Sequence, residues 1–327
     1  MRQLTYREAI REALREEMHR DERVFVFGED VADAGGVFKV TLGLLAEFGP
    51  ERIFDTPLSE SAIVGAAVGA SLMGMRPVAE VMFADFTTIA MDAIVNHAAK
   101  IHYMSGGEMT APLVVRMAYG AGPKWGSHHT QSVESWLANV PGLTIVMPST
   151  PADAKGLLKA AIRTPNPVIF LEHKLLYGKK GEVPEGEYLV PIGQAAIAHP
   201  GEDVTIVASG MMVDRALGAA RTLAGEGLGA EVIDLRSVQP LDEETILGSV
   251  EKTGRLVIVH EAPVRGGFGG EVAAVVASKA LGYLDAPIQR VGAPWTPVPF
   301  GPVLTDAYVP KEADIIQAVR ATQGAAV

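Results

Sequence analysis

Residues 55–86 read DTPLSESAIVGAAVGASLMGMRPVAEVMFADF. Two periodicities meet here across one glycine. Up to Met73 the residues are small and apolar, with the spacing of a helix over about 61–73. After Gly74, RPVAEVMF has the length and flanks of a buried strand. Ser59 or Ser61 is placed to cap the helix. Glu60 stands alone at its mouth. An acid in a first helical turn ordinarily complements the helix dipole. Behind it, however, Gly65, Ala66, Gly69 and Ala70 leave room for another backbone, which points to a tight helix or subunit contact. An acid at the edge of such a contact loses solvent, and that suits proton transfer. Local grounds leave both readings open.

The same alternation extends outward. VFVFGED, RPVAEVMF, APLVVRMAYG, LTIVMPS and PVIFLEH read as buried strands, with FTTIAMDAIVNHAAKIHYMSG and PADAKGLLKAAIR as helices between them. Strands and helices in turn predict an α/β fold with mostly parallel sheets covered on both faces. YGKKGEVPEGEYLVP, residues 177–191, is rich in Gly, Pro and charge and reads as a boundary loop. After it the pattern restarts with VTIVASG, AEVIDLRSVQP, RLVIVHEA and IQRVGAP. The expectation is two doubly wound domains, residues 1–185 and 186–327.

The 327 residues are 48% hydrophobic and 20% charged, enough for two packed cores. A formal charge of -11 argues against a nucleic-acid partner held by phosphate contacts. The absence of cysteine removes disulfides, thiolate metal sites and cysteine nucleophiles. The charged start, MRQLTYREAIREALREEMHRDE, lacks a signal peptide's apolar core. Thr5 and Glu8 predict a capping box, with Ala9, Ile10, Ala13 and Leu14 as a buried stripe. No apolar run reaches about 18 residues, so no membrane span is expected.

Among the motifs, GGFGGE (266–271) lacks the two-residue spacing of a dinucleotide fingerprint and reads as a tight turn with close strand–helix packing. His97 and His102 lie five apart on one expected helix, poor spacing for one metal, and read as packing residues. His128 and His129 sit in GAGPKWGSHHTQS, a glycine-bearing loop. A loop histidine is by default solvent-exposed, but it is also a candidate acid or base.

The opening stretch, together with AKIHYMSGG, HHTQSVESWLANVPGLTIVMPSTPADAKGLL, NPVIFLEHKLLYG and GAPWTPVPF, resembles the beta subunit of the thiamine-diphosphate-dependent 2-oxoacid dehydrogenases. That subunit belongs to the decarboxylating first component of the pyruvate, branched-chain 2-oxoacid and acetoin complexes. The similarity runs from about residue 3 to about residue 322. It implies a pyrimidine-binding domain followed by a transketolase-like C-terminal domain. It also implies two alpha and two beta chains, with thiamine diphosphate held between them. Such enzymes hold the diphosphate through magnesium and a Gly-Asp-Gly motif followed by Asn. No Gly-Asp-Gly occurs in this sequence, so the magnesium is expected on the alpha subunit.

Position by position, the resemblance implies that Glu60 contacts the aminopyrimidine ring nitrogen. Leu58, Met82 and Phe86 line the ring. His129 assists acyl transfer to a lipoyl arm, and His128 helps bind or orient substrate. A structural potassium is implied at main-chain oxygens of Leu113, Ala161, Ile162, Thr164 and Asn166, although the family commonly has Asp where this chain has Thr164. The implied partners are an alpha subunit and the dihydrolipoyl acyltransferase core, whose small basic domain suits an acidic chain. The implied location is cytoplasmic, with pyruvate favoured over acetoin and branched-chain substrates. Two other classes stay on the table, a nucleotide-binding oxidoreductase using GGFGGE and a non-catalytic scaffold subunit.

Overall fold

The computed structural model describes residues 1–122 and 124–324. Tertiary contacts divide them into two compact units. Residues 1–119 join 136–192, and residues 120–135 join the chain from Gly193 onward. The histidine loop therefore leaves the first unit in mid-chain and belongs to the second. Local periodicity carries no trace of this detour.

In the first unit, β2 (Val24–Gly28), β3 (Ile53–Asp55), β4 (Arg76–Val81), β5 (Val114–Tyr119), β6 (Thr144–Val146) and β7 (Val168–His173) lie in the order β6-β7-β5-β4-β2-β3. Every one of these pairings is parallel. The strands are nearly continuous apolar runs, as a sheet covered on both faces requires. Val26, Val78, Val115, Ile145 and Ile169 are buried at its centre. Each such side chain contributes about 1.5–3 kcal/mol relative to exposure.

The first helix, Tyr6–Arg20, starts at the expected capping box: Thr5 accepts from Glu8 N–H, and the Glu8 carboxylate accepts from Thr5 N–H at 2.7 Å. Ala9, Ile10, Ala13 and Leu14 are buried, as their spacing predicts. Against it packs the helix Pro151–Arg163, whose Lys155 and Lys159 ammonium groups reach Glu12, Glu16 and Glu187.

Three expectations need correction. The stretch 177–191 is not all loop: Tyr177 is buried, and β8 (Lys180–Val183) pairs antiparallel with β1 (Arg2–Thr5). The long helix expected after β4 is broken into a 3-10 turn at Ala84–Phe86, an α-helix at Thr87–Asp92, a π-helical turn at Ala93–Ala98 and a last turn at Ile101–Met104. His97 and His102 are surface residues. Nε2 of His97 lies 3.4 Å from Asp92, and Nδ1 of His102 lies 2.8 Å from the Met109 carbonyl oxygen.

In the second unit, β9 (Ala196–His199), β10 (Val204–Ala208), β11 (Ala230–Asp234), β13 (Leu256–Pro263) and β14 (Gln289–Ala293) form a sheet ordered β14-β13-β10-β11-β9; a short β12 (Ser237–Gln239) precedes the helix Glu243–Thr253. Only β9 runs antiparallel, at the edge. Ile206, Val232 and Val257 meet Ala216 and Leu223 of the helix Met211–Ala224 in one apolar core.

The GGFGGE turn behaves as its spacing predicts. It leads from β13 into the helix Gly269–Lys279. A Cβ on Gly267 would lie 2.4 Å from the His260 ring, and one on Gly269 would lie 2.7 Å from it. These glycines are there to let the turn close over a buried imidazole. Burial also holds the His260 ring near pKa 4, hence neutral.

Candidate active site

The helix of the opening stretch runs from Glu60 to Leu72 and buries Ile63 and Ala67 against Phe27 and Ala79 of the sheet. Neither expected serine cap forms. Ser59 is the N-cap by position but makes no side-chain cap bond, and the Ser61 hydroxyl donates to the Ile89 carbonyl at 2.6 Å. The helix opens without a side-chain cap, its first backbone bond running from Ile63 N–H to the Ser59 carbonyl at 2.8 Å. Glu60 as a residue is 7% exposed.

Strand register decides what surrounds it. Gly28, the last residue of β2, pairs with Asp55 of β3 on one side and with Glu80 of β4 on the other. The three strands end side by side. Glu29 leaves β2, Leu58 and Glu60 follow β3, and Met82 and Phe86 follow β4. Ligand sites in open parallel sheets lie at this carboxyl edge. Gly28 is required for the alignment, because a Cβ there would sit 2.6 Å from the Glu80 carbonyl oxygen.

Glu29 is an acid at this edge that motif reading passed over. Burial, then Asp30, then Glu60 push its carboxyl above the ordinary carboxylate range. Two acids thus share one sheet edge. The signal was available in GED directly after the apolar run VFVFG, but its proximity to Glu60 depends on the pairing of β2 with β3.

The other sites fall as follows. Leu58 is 70% exposed, while Met82 and Phe86 are half-buried. Phe86 meets Phe83 edge-to-face at 6.2 Å. Ala62, Gly65, Ala66 and Gly69 present an exposed face, and a Cβ on either glycine would touch nothing within 4 Å. The close contact expected along this face is therefore not made by the chain's own backbone. Beside it, Phe25, Phe27, Phe54, Ile63 and Ala66 line an apolar groove of about 460 Å³.

The carbonyls read as potassium ligands lie where the helix Pro151–Arg163 ends and where β5 and β7 begin. The Arg76 guanidinium already donates to two of them, Ile162 at 2.7 Å and Thr164 at 3.2 Å. Leu113 accepts from Val168 N–H at 3.0 Å. Among the described residues, no three His, Asp or Glu side chains converge to hold a metal.

In the second unit His128 is exposed and His129 half-buried. Their loop is held by Ser127 Oγ donating to the Val298 carbonyl at 2.7 Å and by Thr130 Oγ1 donating to Gly126 at 2.6 Å. His129 N–H donates to the Gly126 carbonyl at 3.3 Å.

Sequence comparison fits this arrangement. Residues 2–180 match the transketolase pyrimidine-binding domain and residues 193–315 the transketolase C-terminal domain. The beta subunit of acetoin:2,6-dichlorophenolindophenol oxidoreductase from Cupriavidus necator is 51% identical, over 98% of both chains. The chain belongs to the beta subunits of the thiamine-dependent 2-oxoacid dehydrogenases.

Two further members of this family are similarly near. The 2-oxoisovalerate dehydrogenase subunit beta of Bacillus subtilis is 49% identical over 94% of both chains. The pyruvate dehydrogenase E1 component subunit beta of Rickettsia felis is 48% identical over 97% of this chain and 98% of its own length. Among solved structures, a split-gene transketolase in the form of an inactive beta4 tetramer aligns with TM-score 0.80 at 27% identity, over 97% of each chain. Both α/β domains expected from the alternation are therefore transketolase-like. No helix among the described residues is long and apolar enough to cross a membrane.

Proposed function

We propose that the chain supplies the pyrimidine half of a thiamine diphosphate site, completed by an alpha subunit in a two-alpha, two-beta assembly. The observation that carries this reading is Glu60, a largely buried acid at the carboxyl edge of the sheet, close enough to Glu29 to raise its carboxyl. The residues fit that half of the cofactor: an acid for a ring nitrogen, the Phe86 ring for a π-face, and the apolar Met82 and Leu58 side chains for the edges. They do not supply the other half, since no Gly-Asp-Gly is present for a magnesium diphosphate. When bound, thiamine diphosphate provides the electron sink for decarboxylation of a 2-oxo acid. The task of Glu60 is to hold and release a proton at the pyrimidine nitrogen. The exposed small-residue face of its helix leaves room for a partner chain.

Pyruvate is the favoured substrate, with acetoin and branched-chain 2-oxo acids as alternatives. The test is co-expression with the matching alpha subunit in the cytoplasm and turnover on pyruvate, 2-oxoisovalerate and acetoin. Activity on one of them supports the reading. A folded tetramer inert on all three rejects it.

The same reading gives His129 the transfer of the acyl group to the lipoyl arm of the acyltransferase core, with His128 orienting substrate. An imidazole supplies the proton that a breaking disulfide takes up. His129→Ala should leave decarboxylation to an artificial electron acceptor within about threefold of wild type while lowering lipoyl acylation by about 10²-fold. Equal losses in the two assays would place His129 in substrate binding instead. A potassium ion at the Leu113, Ala161, Ile162, Thr164 and Asn166 carbonyls belongs to this reading too. It would share two of those oxygens, Ile162 and Thr164, with the Arg76 guanidinium, using their second lone pairs.

A further inference from the structure

Glu134 follows the histidine loop directly and opens the short helix Glu134–Ala138. Its side chain is buried, and its Oε2 has no hydrogen-bond partner among the described residues. At the other end of the loop, Ala121 N–H donates to the Glu261 carboxylate at 2.5 Å. Ala121 packs with Ala293, Val298 and Tyr308 in a small apolar cluster. Between these ends the loop is bonded to itself, as at Gly120 N–H to the Gln131 carbonyl. A carboxyl group therefore stands at each end of the segment that presents His128 and His129.

We propose that Glu134 is a positioning residue for His129: it seats the far end of the histidine loop while its carboxyl is protonated, and ionisation releases that end. This rests on the role proposed for His129 only for its consequence in catalysis. The titratable groups facing Glu134 are Glu261 from β13 and Tyr308 from the helix Pro302–Tyr308, both acids. Burial first, and then Glu261, push the Glu134 carboxyl up to about 7. The folded chain holds this proton more tightly than the unfolded chain, whose ordinary value is 4.5. The contribution is thus complete below the ordinary value and is lost as pH rises through about 7. An ionised Glu134 would be a second buried anion near Glu261, and the least costly relief is to swing the loop end into water.

The experiment is hydrogen exchange of the peptides covering the loop in the assembled alpha–beta enzyme, across about pH 5.5 to 8.5. After correction for the intrinsic exchange rate, wild-type loop exchange should rise by up to about tenfold per pH unit below about 7 and level off above it, where Glu134 is ionised in the closed loop as well. Glu134→Gln, neutral at every pH, should flatten that rise. In parallel, the ratio of lipoyl acylation to acceptor-coupled decarboxylation should fall over the same interval in wild type but not in the variant. Should Glu134→Gln fail to fold, Glu261→Gln serves instead: without its repelling neighbour, Glu134 ionises lower in the closed loop and the wild-type rise levels off at lower pH. A rise that is unchanged in Glu134→Gln, or unmoved in Glu261→Gln, overturns the proposal. A loop that responds as expected while the acylation ratio stays flat overturns only the role of His129.

Discussion

Glu60→Gln in the assembled enzyme should lower turnover on the 2-oxo acid by about 10²–10⁴-fold, the usual size of a lost general acid–base group. The amide keeps the shape of the side chain and its place at the start of the Glu60–Leu72 helix, so folding should survive. It also removes a negative charge beside Glu29, relieving one of the influences that push that carboxyl up. What the amide cannot do is hand a proton to a ring nitrogen. Steady-state turnover and a melting curve on the same preparation check both halves. Near-wild-type turnover with an unchanged melting curve would remove Glu60 from the chemistry and leave it a helix-dipole partner.

The largest effect on stability is expected at Arg116→Met. Arg116 is 1% exposed on β5 in the middle of the first sheet. Its guanidinium donates to both Glu172 oxygens at 2.7 Å and to Glu80 at 2.6 Å; Glu172 also accepts the Tyr177 hydroxyl at 2.7 Å. Methionine fills similar space but leaves two carboxylates buried without their cation. Breaking such a pair from one side costs about 3–5 kcal/mol. For a unit of this size that is a fall in melting temperature of roughly 10 °C. Adding Glu80→Gln and Glu172→Gln should restore part of the loss, because no buried charge then remains. A single-variant loss below about 1 kcal/mol in denaturant titration would show that the network is not held against burial as its geometry implies. Glu80 also pairs with Gly28 at the edge where Glu29 and Glu60 meet, so loosening it should disturb the site as well.

Much of this was legible along the chain. Five strands of the first sheet, β2, β4, β5, β6 and β7, appeared as apolar runs between turn residues, and the helices Tyr6–Arg20, Glu60–Leu72 and Pro151–Arg163 as periodic stretches, whereas the three-residue β3 and the short helix Leu44–Phe48 are too brief to show a period. The exceptions are instructive. The helix after β4 broke because 3-10 and π-helical turns preserve apolar burial while changing the hydrogen-bond ladder, which residue spacing does not reveal. The GGFGGE turn was readable because its glycine spacing already conflicted with dinucleotide binding. The imidazole that it clears, His260, was not, since it comes from the preceding strand.

By itself the sequence determined an alternating α/β chain, an acid at the mouth of a small-residue helix, a loop with two histidines, and no motif for a metal diphosphate. These are local properties, set by side-chain period, turn chemistry and residue identity. Tertiary structure alone decided that Glu29 stands beside Glu60, that Arg116 joins Glu80 and Glu172, that Arg76 donates to the Ile162 and Thr164 carbonyls, and that residues 120–135 fold with the second unit. Each depends on strand order and register between distant segments. A parallel sheet fixes those by pairing and packing across the whole domain, not by any period along one strand.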